Sequence, residues 1–485
     1  MKIHASFPTV AILIAVLAAG CASTSHLRDA EAHYGAGQYA AAASSAASKL
    51  PDGDEITERG RSKYILDNLY AGSAFLMDGK PTPAAEAFKY ASDGIAEQDD
   101  SIFGSGYPTR TYDASMAANY KALSLWAEGD IDAARIAFRL TAEAQERADE
   151  RNARAIRKAE DEAEKRKAEE IRKAESEATS DGADINAVFS SFMNGASSEE
   201  AKRQIEGFQA QYSTWGVYGN FQVPSTWFLD GLFALANTEE ANDLEHSSFA
   251  ARKALGMTRS SPAKTVYDLA EARADGKLSA DALDNVFAVV FENGLGPAIE
   301  ERRFDIPLPY NGKVFMLSFA LPQLVRRGSA YSRLIVRNGA VSMGATVQIA
   351  DIDKVAVREF KARLPTITAS QIFEATLKLA VQVAVAEAVR KKHGDAAAYW
   401  TSLATSVASA AVTGTDTRHW NLLPKEIQAC VLRKPEDRMI ELWVPGAVEP
   451  LATVSLPEKG LSVIYVKVPA PGLPPLVRIL GQSNQ

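Results

Sequence analysis

Apolar residues recur at helical spacing from residue 27 to about 140, where glycines divide the pattern into three pairs of segments. Each pair joins an aromatic-containing segment to an Ala-rich one. The dividing residues are Gly37, Gly79 and Gly129. In the later pairs an Ala and a Phe lie four positions apart, on one face of a helix. We expect four such side chains to be buried between helices: Ala84, Phe88, Ala134 and Phe138.

These paired helices resemble tetratricopeptide repeats, which recur about every 34 residues and stack into a concave binding surface. Successive glycines here are 42 and 50 residues apart, so the resemblance implies degenerate repeats with insertions. Tyr70 and Tyr120, on the inner helices, are our candidates for contact with a partner, since aromatic anchors dominate interface energies. A plain helical domain without a groove is the alternative interpretation.

Residues 139–180 consist mainly of Ala and charged residues, and Ile156 and Ile171 are the only large aliphatic side chains after Leu140. Pairs of opposite charge at i,i+4 predict a helix. The segment lacks an a/d stripe of large residues, which argues against a strong coiled-coil dimer. We therefore predict an extended, solvated charged helix, an arm whose deletion costs little stability. A second helical-repeat block, 181–284, is expected to continue the array beyond it.

Near residue 285 the period changes from 3.6 to 2, which predicts a β-rich region. The expected strands are 286–291, 303–308, 314–319, 341–349, 440–444 and 462–468, with a hairpin turn at 338–339. Thr368 and Gln371 form a capping-box pattern at the start of a helical hairpin, 369–413. Charged side chains interrupt its first helix and favour a packed hairpin over a membrane span.

The N-terminus has the pattern of an export signal, because Lys2 precedes an apolar run at 10–17 that is too short to span a bilayer. The small residues 18–20 and Cys21 resemble the lipobox of bacterial lipoproteins, in which the cysteine is acylated. Ala22, rather than Asp, follows the cysteine, so the resemblance implies anchoring in the outer membrane, facing the periplasm. An ordinary secretory signal with a chance cysteine is the alternative.

Three stretches resemble an uncharacterised family of proteobacterial lipoproteins with helical-repeat N-termini and β-rich C-termini. They are 220–233, which opens NFQVP and closes GLF, 291–297 (FENGLGP) and 416–424 (DTRHWNLLP). The resemblance implies the order of the two regions but no activity and no catalytic residues. His419 departs from the expected pattern, which has a small residue before the tryptophan.

The chain has 485 residues, a net charge of −8 and two cysteines. The acidic balance argues against a nucleic-acid partner. With Cys21 acylated, Cys430 would have no partner for an internal disulfide. The membrane, reached through the lipid, and one or more envelope proteins are the expected partners.

Enzyme motifs are missing from the sequence: it has no HExxH or CxxC spacing, no GxSxG elbow and no phosphate-binding loop. We therefore expect no catalytic residue, no metal and no cofactor. Asp351 and Asp353 fit a helix start better than a weak cation site. Gly294 and Gly296, in a Gly-Leu-Gly-Pro loop, can present backbone N–H groups to an anion, although a β-turn explains them more simply.

Asp416, Arg418 and Trp420 place polar and aromatic groups close together near Gly414. An Asp–Arg pair that caps a helix–strand junction is the simpler interpretation. A binding site that also uses the 294–297 loop is the other.

The sequence thus predicts an α+β protein with an N-terminal helical-repeat array, a long inserted charged helix and a β-rich domain that contains a helical hairpin. The predicted divisions are 1–20 (signal), 21–138 (repeats), 139–180 (charged helix), 181–284 (second repeat block) and 285–485 (β-rich domain). The predicted function is a non-enzymatic scaffold of the cell envelope. The alternative is an envelope enzyme or a glycan- or peptide-binding protein with a site near Asp416, Arg418, Trp420 and the 294–297 loop.

We predict that Cys21→Ala moves the protein from the membrane to the soluble fraction, or leaves it unprocessed, because no other segment of the sequence offers a stable anchor. Membrane fractionation of cells that express each form measures this. Equal retention of the variant and the wild type in the outer membrane would contradict the lipobox interpretation.

Overall fold

A computed structural model describes residues 25–51, 61–98, 106–179, 185–238, 240–393 and 414–481. Cys21 and the second helix of the predicted hairpin lie outside these ranges. The fold mixes α and β structure, as predicted. Among the described residues, none of the helices combines the length and hydropathy that a membrane span requires.

The helices, in chain order, are α1 (Ser25–Gly35), α2 (Tyr39–Ala47), α3 (Ile65–Met77), α4 (Pro81–Glu97), α5 (Thr111–Glu128), α6 (Ile131–Glu146), α7 (Ala148–Thr179), α8 (Ile185–Ala196), α9 (Glu199–Ala210), α10 (Pro224–Asn237), α11 (Ala241–Thr258), α12 (Ser261–Ala274) and α13 (Ile352–His393).

The strands are β1 (Val286–Asn293), β2 (Ala298–Tyr310), β3 (Lys313–Val325), β4 (Ile335–Asn338), β5 (Val341–Ala345), β6 (Val347–Asp351), β7 (Glu426–Arg433), β8 (Met439–Trp443), β9 (Ala452–Ser455), β10 (Ser462–Val468) and β11 (Leu476–Ile479).

Helices α1 to α6 pack on one another in chain order, and α6 then packs on α10, which α11 and α12 follow. The turns within the first three pairs lie at Gly37, Gly79 and Gly129, whose φ angles are 74°, 73° and 93°. Glycine adopts such positive φ without strain. The four side chains expected between helices, Ala84, Phe88, Ala134 and Phe138, are all completely buried. The Phe138 ring lies 4.8 Å from that of Phe233 on α10, so the stack continues across the intervening segment.

A five-stranded sheet, in the order β11-β10-β1-β7-β6, forms the middle layer. β1 pairs parallel to β10 and antiparallel to β7. Its even residues, such as Ala288 and Val290, pack against the helices. Its odd residues, such as Phe287 and Val289, pack against the four-stranded sheet β5-β4-β8-β9. A strand covered on both faces is apolar throughout, which is why the run from residue 286 is continuous.

The predicted strand at 341–349 is in fact two strands in different sheets. β5 pairs with β4, whereas β6 pairs with β7. Thr346 lies between them, and its hydroxyl donates to Gln428 at 2.6 Å and accepts from the Leu334 N–H at 2.9 Å. This buried threonine holds the chain where it passes from one sheet to the other.

A separate hairpin, β2–β3, packs one face on α8, α9 and α13. Phe304 contacts Phe208 of α9 with ring centroids 5.3 Å apart. The hydroxyl of Tyr212, just after α9, accepts the Leu324 N–H at 3.0 Å. Helices α8 and α9 therefore belong with the hairpin, while α10 to α12 continue the helix stack.

The predicted charged helix exists as α7, but the expectation of a solvated arm is wrong. α7 lies along α13, with a line of small side chains at the contact: Ala148, Ala155, Ala159 and Ala163, all buried. Ile367 of α13 packs against this line. Alanine lets two helices approach closely, so a face without large apolar residues can still form a tight interface.

α13 begins at Ile352, 17 residues before the predicted helix start. Asp353 lies in its first turn, as the helix-start interpretation required, and forms an ion pair with Lys425. Pro365 lies inside the helix, and it disfavours a continuous helix in isolation. Packing against α7, α8 and β3 outweighs this local preference, so Thr368 is an interior residue and not a cap.

We predict that Ala159→Glu lowers the free energy of unfolding by about 2–4 kcal/mol, because it places a charge in a closed interface between two helices. Ala168→Glu, on an exposed position of the same helix, is the matched control and should change it by less than about 0.5 kcal/mol. Denaturant unfolding measures both. If the two variants are equally stable, α7 does not pack on α13.

Candidate functional site

A pocket of about 80 Å³, partly open to solvent, lies where the start of α5, the first half of α13, the β2–β3 hairpin and residues 415–416 meet. We call it the cavity. One side is apolar and includes Ile299, Leu324 and Phe360. The other side carries charged and polar groups, described below. One water needs only about 10–15 Å³, so the cavity has room for several waters or for the end of a small organic molecule.

The start of α5 forms one polar wall. Asp113 accepts from the backbone N–H of Arg110 at 2.8 Å and from the Tyr107 hydroxyl at 2.8 Å. These bonds fix the first turn of the helix. Burial raises the pKa of Asp113 to about 6, although both hydrogen bonds oppose the rise. The side chain of Arg110 lies on the cavity wall.

Next to the start of α5, α13 contributes Glu359 and Arg363, one turn apart, to the lining. Their ion pair is 2.5 Å long, with the carboxylate 1% and the guanidinium 5% exposed. Both Glu359 oxygens also accept from the Thr111 N–H at 2.9 Å, and Arg363 donates to the Thr109 carbonyl at 3.1 Å. A buried ion pair with such supporting hydrogen bonds is costly to break, so it joins α13 rigidly to the start of α5.

Asp416 and Arg418 do form a pair, as predicted. Arg418 donates to Asp416 at 2.6 Å and to the Gly106 carbonyl at 2.7 Å. Asp416 lies on the cavity wall, whereas Arg418 is not among the residues that line it. The pair therefore attaches the segment after Gly414 to the loop before α5, in agreement with a structural role.

Trp420 is completely buried in the helical layer. Its indole N–H donates to the Ser73 hydroxyl at 3.0 Å, and its ring lies 6.0 Å from Phe88 and 5.7 Å from Tyr120. The Tyr70 hydroxyl donates to the backbone carbonyl of His419 at 3.1 Å. The inner face of the helices thus holds an extended segment of the protein's own chain.

Tyr70 and Tyr120 are 3% and 1% exposed, so the expectation that they lie on an open groove is wrong. Tyr120 donates to Glu292 of β1 at 2.7 Å, and Lys467 of β10 lies 2.9 Å from the same carboxylate. Burial raises the pKa of Tyr120 well above its usual value, which keeps the hydroxyl protonated as a donor.

Gly294 and Gly296 offer no free anion site. The Gly294 N–H donates to the Val468 carbonyl at 2.9 Å and the Gly296 N–H to the Leu423 carbonyl at 2.8 Å. Gly294 has φ 71°, and a Cβ there would lie 2.6 Å from the Gly328 carbonyl oxygen. The loop is therefore a close-packed turn that contacts the 416–424 segment directly.

The sequence interpretation missed the groups that line the cavity, chiefly Arg110, Glu359, Arg363 and Gln371. One signal was present: Glu359 and Arg363 are an i,i+4 pair of opposite charge, and each is followed by a large apolar residue, Phe360 and Leu364. Within the described ranges no group of three His, Cys, Asp or Glu is placed to hold a metal ion. Burial raises the pKa of Cys430 to about 12, so that thiol is not ionised.

A second candidate is the exposed face at the tip of the β2–β3 hairpin. Strand pairing sets Pro307 opposite Met316 and Pro309 opposite Val314. All four side chains are exposed, Val314 at 67% and Met316 at 51%. We call these four residues the tip face. A cross-strand hydrogen bond of 2.5 Å from Ser318 to Asp305 borders it on the side away from the turn.

No protein-family model matches the chain. No curated protein and no solved structure is significantly similar to it. The resemblance to a lipoprotein family therefore stays a prediction from the residues quoted above.

His419 is buried and accepts a 2.7 Å hydrogen bond from the Tyr112 hydroxyl. Burial, and then the charge of Arg110, lower its pKa from 6.5 to about 3. As pH falls below 6.5, the unfolded state therefore binds a proton that the folded state does not, and stability falls with pH.

We predict that wild type loses about 2 kcal/mol more stability than His419→Gln between pH 7.5 and pH 5, since one proton contributes about 1.4 kcal/mol per pH unit below 6.5. Denaturant unfolding at both pH values measures the difference. The raised pKa of Asp113 makes stability rise as pH falls. Because Asp113 is present in both proteins, its contribution cancels in the comparison. An equal loss in the two proteins would mean that His419 is not buried in its neutral form.

Proposed function

We propose that the protein is a lipoprotein, anchored in the outer membrane through Cys21, that acts without catalysis as a scaffold for another protein of the cell envelope. The observation that carries this proposal is the tip face. Exposed apolar patches of this kind, bordered by polar groups, mark interaction sites in soluble domains.

The chemistry of the tip face favours a protein partner that binds through side chains. Pro307 and Pro309 have no N–H, so this part of β2 cannot accept another strand along its open edge. Two acidic and two basic residues, at 300–303, and Asp305 lie on the same strand as the prolines of the tip face. An apolar centre with a rim of mixed charge matches the usual anatomy of a protein interface, whereas a membrane-binding surface would carry a basic rim.

We further propose that the paired helices are degenerate tetratricopeptide-like units with α7 to α9 inserted between α6 and α10. The contact between Phe138 and Phe233 supports this arrangement. Because Trp420 and its neighbours fill the inner face, the partner binds elsewhere, at the tip face. The β region then has two roles: it completes the helical stack and it presents the binding hairpin.

The start of α1 supports a position close to the membrane. α1 begins at Ser25, four residues after Cys21, and four extended residues reach at most about 14 Å. A body held so near the lipid surface meets partners that are themselves in or near the outer membrane.

We predict that a photo-crosslinking residue at position 314 yields one discrete adduct in cells, with a protein that mass spectrometry identifies. The purified partner should bind the double variant Val314→Ser, Met316→Ser about tenfold or more weakly than wild type, since central apolar contacts in an interface each contribute about 1 kcal/mol or more. Fluorescence anisotropy or calorimetry measures the affinity.

Val341→Ser is the matched control, because Val341 is 65% exposed on the edge strand β5 of another sheet. It should leave the affinity unchanged, and all three proteins should unfold at the same temperature. If position 314 gives no adduct, or if the double variant binds as tightly as Val341→Ser, the tip face is not the binding surface.

A further inference from the structure

The charges of the side chains that line the cavity sum to zero, but all except one of these side chains are in direct ion pairs. Glu359 is neutralised by Arg363 at 2.5 Å, and Asp416 by Arg418 at 2.6 Å. Arg110 is the remaining charged group on the wall. Its backbone N–H is bonded to Asp113, but in the described part of the chain its guanidinium has no hydrogen-bond acceptor and no ion-pair partner.

The nearest acids do not supply that partner. Asp113 accepts from the Tyr107 hydroxyl and from the backbone N–H of Arg110, and Glu359 is occupied by Arg363 and the Thr111 N–H. Both acids act on Arg110 only through space. The Arg110 side chain is only half-buried, so its N–H groups remain available to an anionic group that enters the cavity.

The remaining walls define the rest of the ligand. Ile299, Leu324 and Phe360 form an apolar surface that favours a hydrocarbon body. Gln371 lies on the polar side, and its amide can donate to an oxygen. Arginine recognises carboxylates through two parallel hydrogen bonds. Because the cavity is partly open, a volume of about 80 Å³ admits one end of a small molecule while the rest lies at the opening.

We propose that this cavity binds a small organic carboxylate whose charged group pairs with Arg110 and whose apolar body packs on Ile299, Leu324 and Phe360. This site is separate from the tip face, so either proposal can fail without the other.

Ligand-observed NMR with the purified protein tests the proposal. Benzoate should bind with a dissociation constant on the order of 1 mM or below, as expected for a ligand of this size. Benzyl alcohol, which has the same ring without the charge, and sulfate, which has charge without an apolar body, should bind at least about tenfold more weakly. 4-Methylpentanoate and N-acetyl-leucine distinguish a free acid from the carboxyl terminus of a peptide.

Arg110→Met should weaken benzoate binding about tenfold or more. Arg110→Lys, which keeps a charge but loses the two-pronged geometry, should bind with intermediate affinity. Because Arg110→Met removes only the through-space attraction of Asp113 and Glu359 for the guanidinium, it should lower the unfolding temperature of the ligand-free protein by no more than a few degrees. Ile299→Trp, which fills the apolar end and keeps Arg110, should also abolish binding.

The proposal is overturned if no carboxylate binds wild type, if benzyl alcohol binds as tightly as benzoate, or if folded Arg110→Met binds benzoate as wild type does. A large loss of stability in Arg110→Met together with unaltered binding by Ile299→Trp would assign Arg110 a structural role, and would overturn it too.

Discussion

The buried ion pair between Glu292 and Lys467 fixes how the helical layer sits on the central sheet. The two residues are paired across the parallel strands β1 and β10, and each side chain is only 1% exposed. Tyr120 of α5 donates to Glu292 and accepts from Lys467 at 3.1 Å. A charge left alone there would cost about 3–5 kcal/mol. A shift of α5 along the sheet would break these bonds, so the pair restricts the helices to one position.

The packing of the segment that contains Trp420 depends on this position of the helices over the sheet. The Trp420 ring fits between Phe88 and Tyr120 only when α4 and α5 lie over β1. In the same segment, the Leu423 carbonyl accepts from the Gly296 N–H. The side chain of Arg327 donates to the Gly296 carbonyl. Residues far apart in sequence therefore meet at one junction. This explains why Tyr70 and Tyr120, which we expected to line an open groove because they are aromatic residues on the inner helices, are internal.

The local hydrophobic pattern was enough to predict those helices and strands whose buried side chains can be read from the adjacent sequence. β10 at Ser462–Val468 and the buried Ala and Phe pairs of α4 and α6 are examples. The local pattern was insufficient wherever contacts between residues distant in sequence determine the structure. The alanine face of α7 carries too little apolar bulk to reveal a partner, and only α13 makes it an interface. Thr368 suggested a helix start, and Pro365 locally disfavours a continuous helix. Packing nevertheless continues α13 through both residues. The cavity joins residues about 110, 300, 360 and 416, and no local pattern connects them.

The topology of the central sheet has a consequence for the order in which the protein can fold. In the parallel pair, Phe287 of β1 lies opposite Ser462 of β10, and Tyr39 near the start of the body donates to the carbonyl of Pro474 near its end. Closing such long loops is slow, and folding rates fall as the mean sequence separation of contacts rises. The middle layer cannot close until β10 and β11 are available. Until β10 pairs with it, the apolar strand β1 has an unpaired edge that is prone to aggregate, so residues 462–479 decide when that edge is protected.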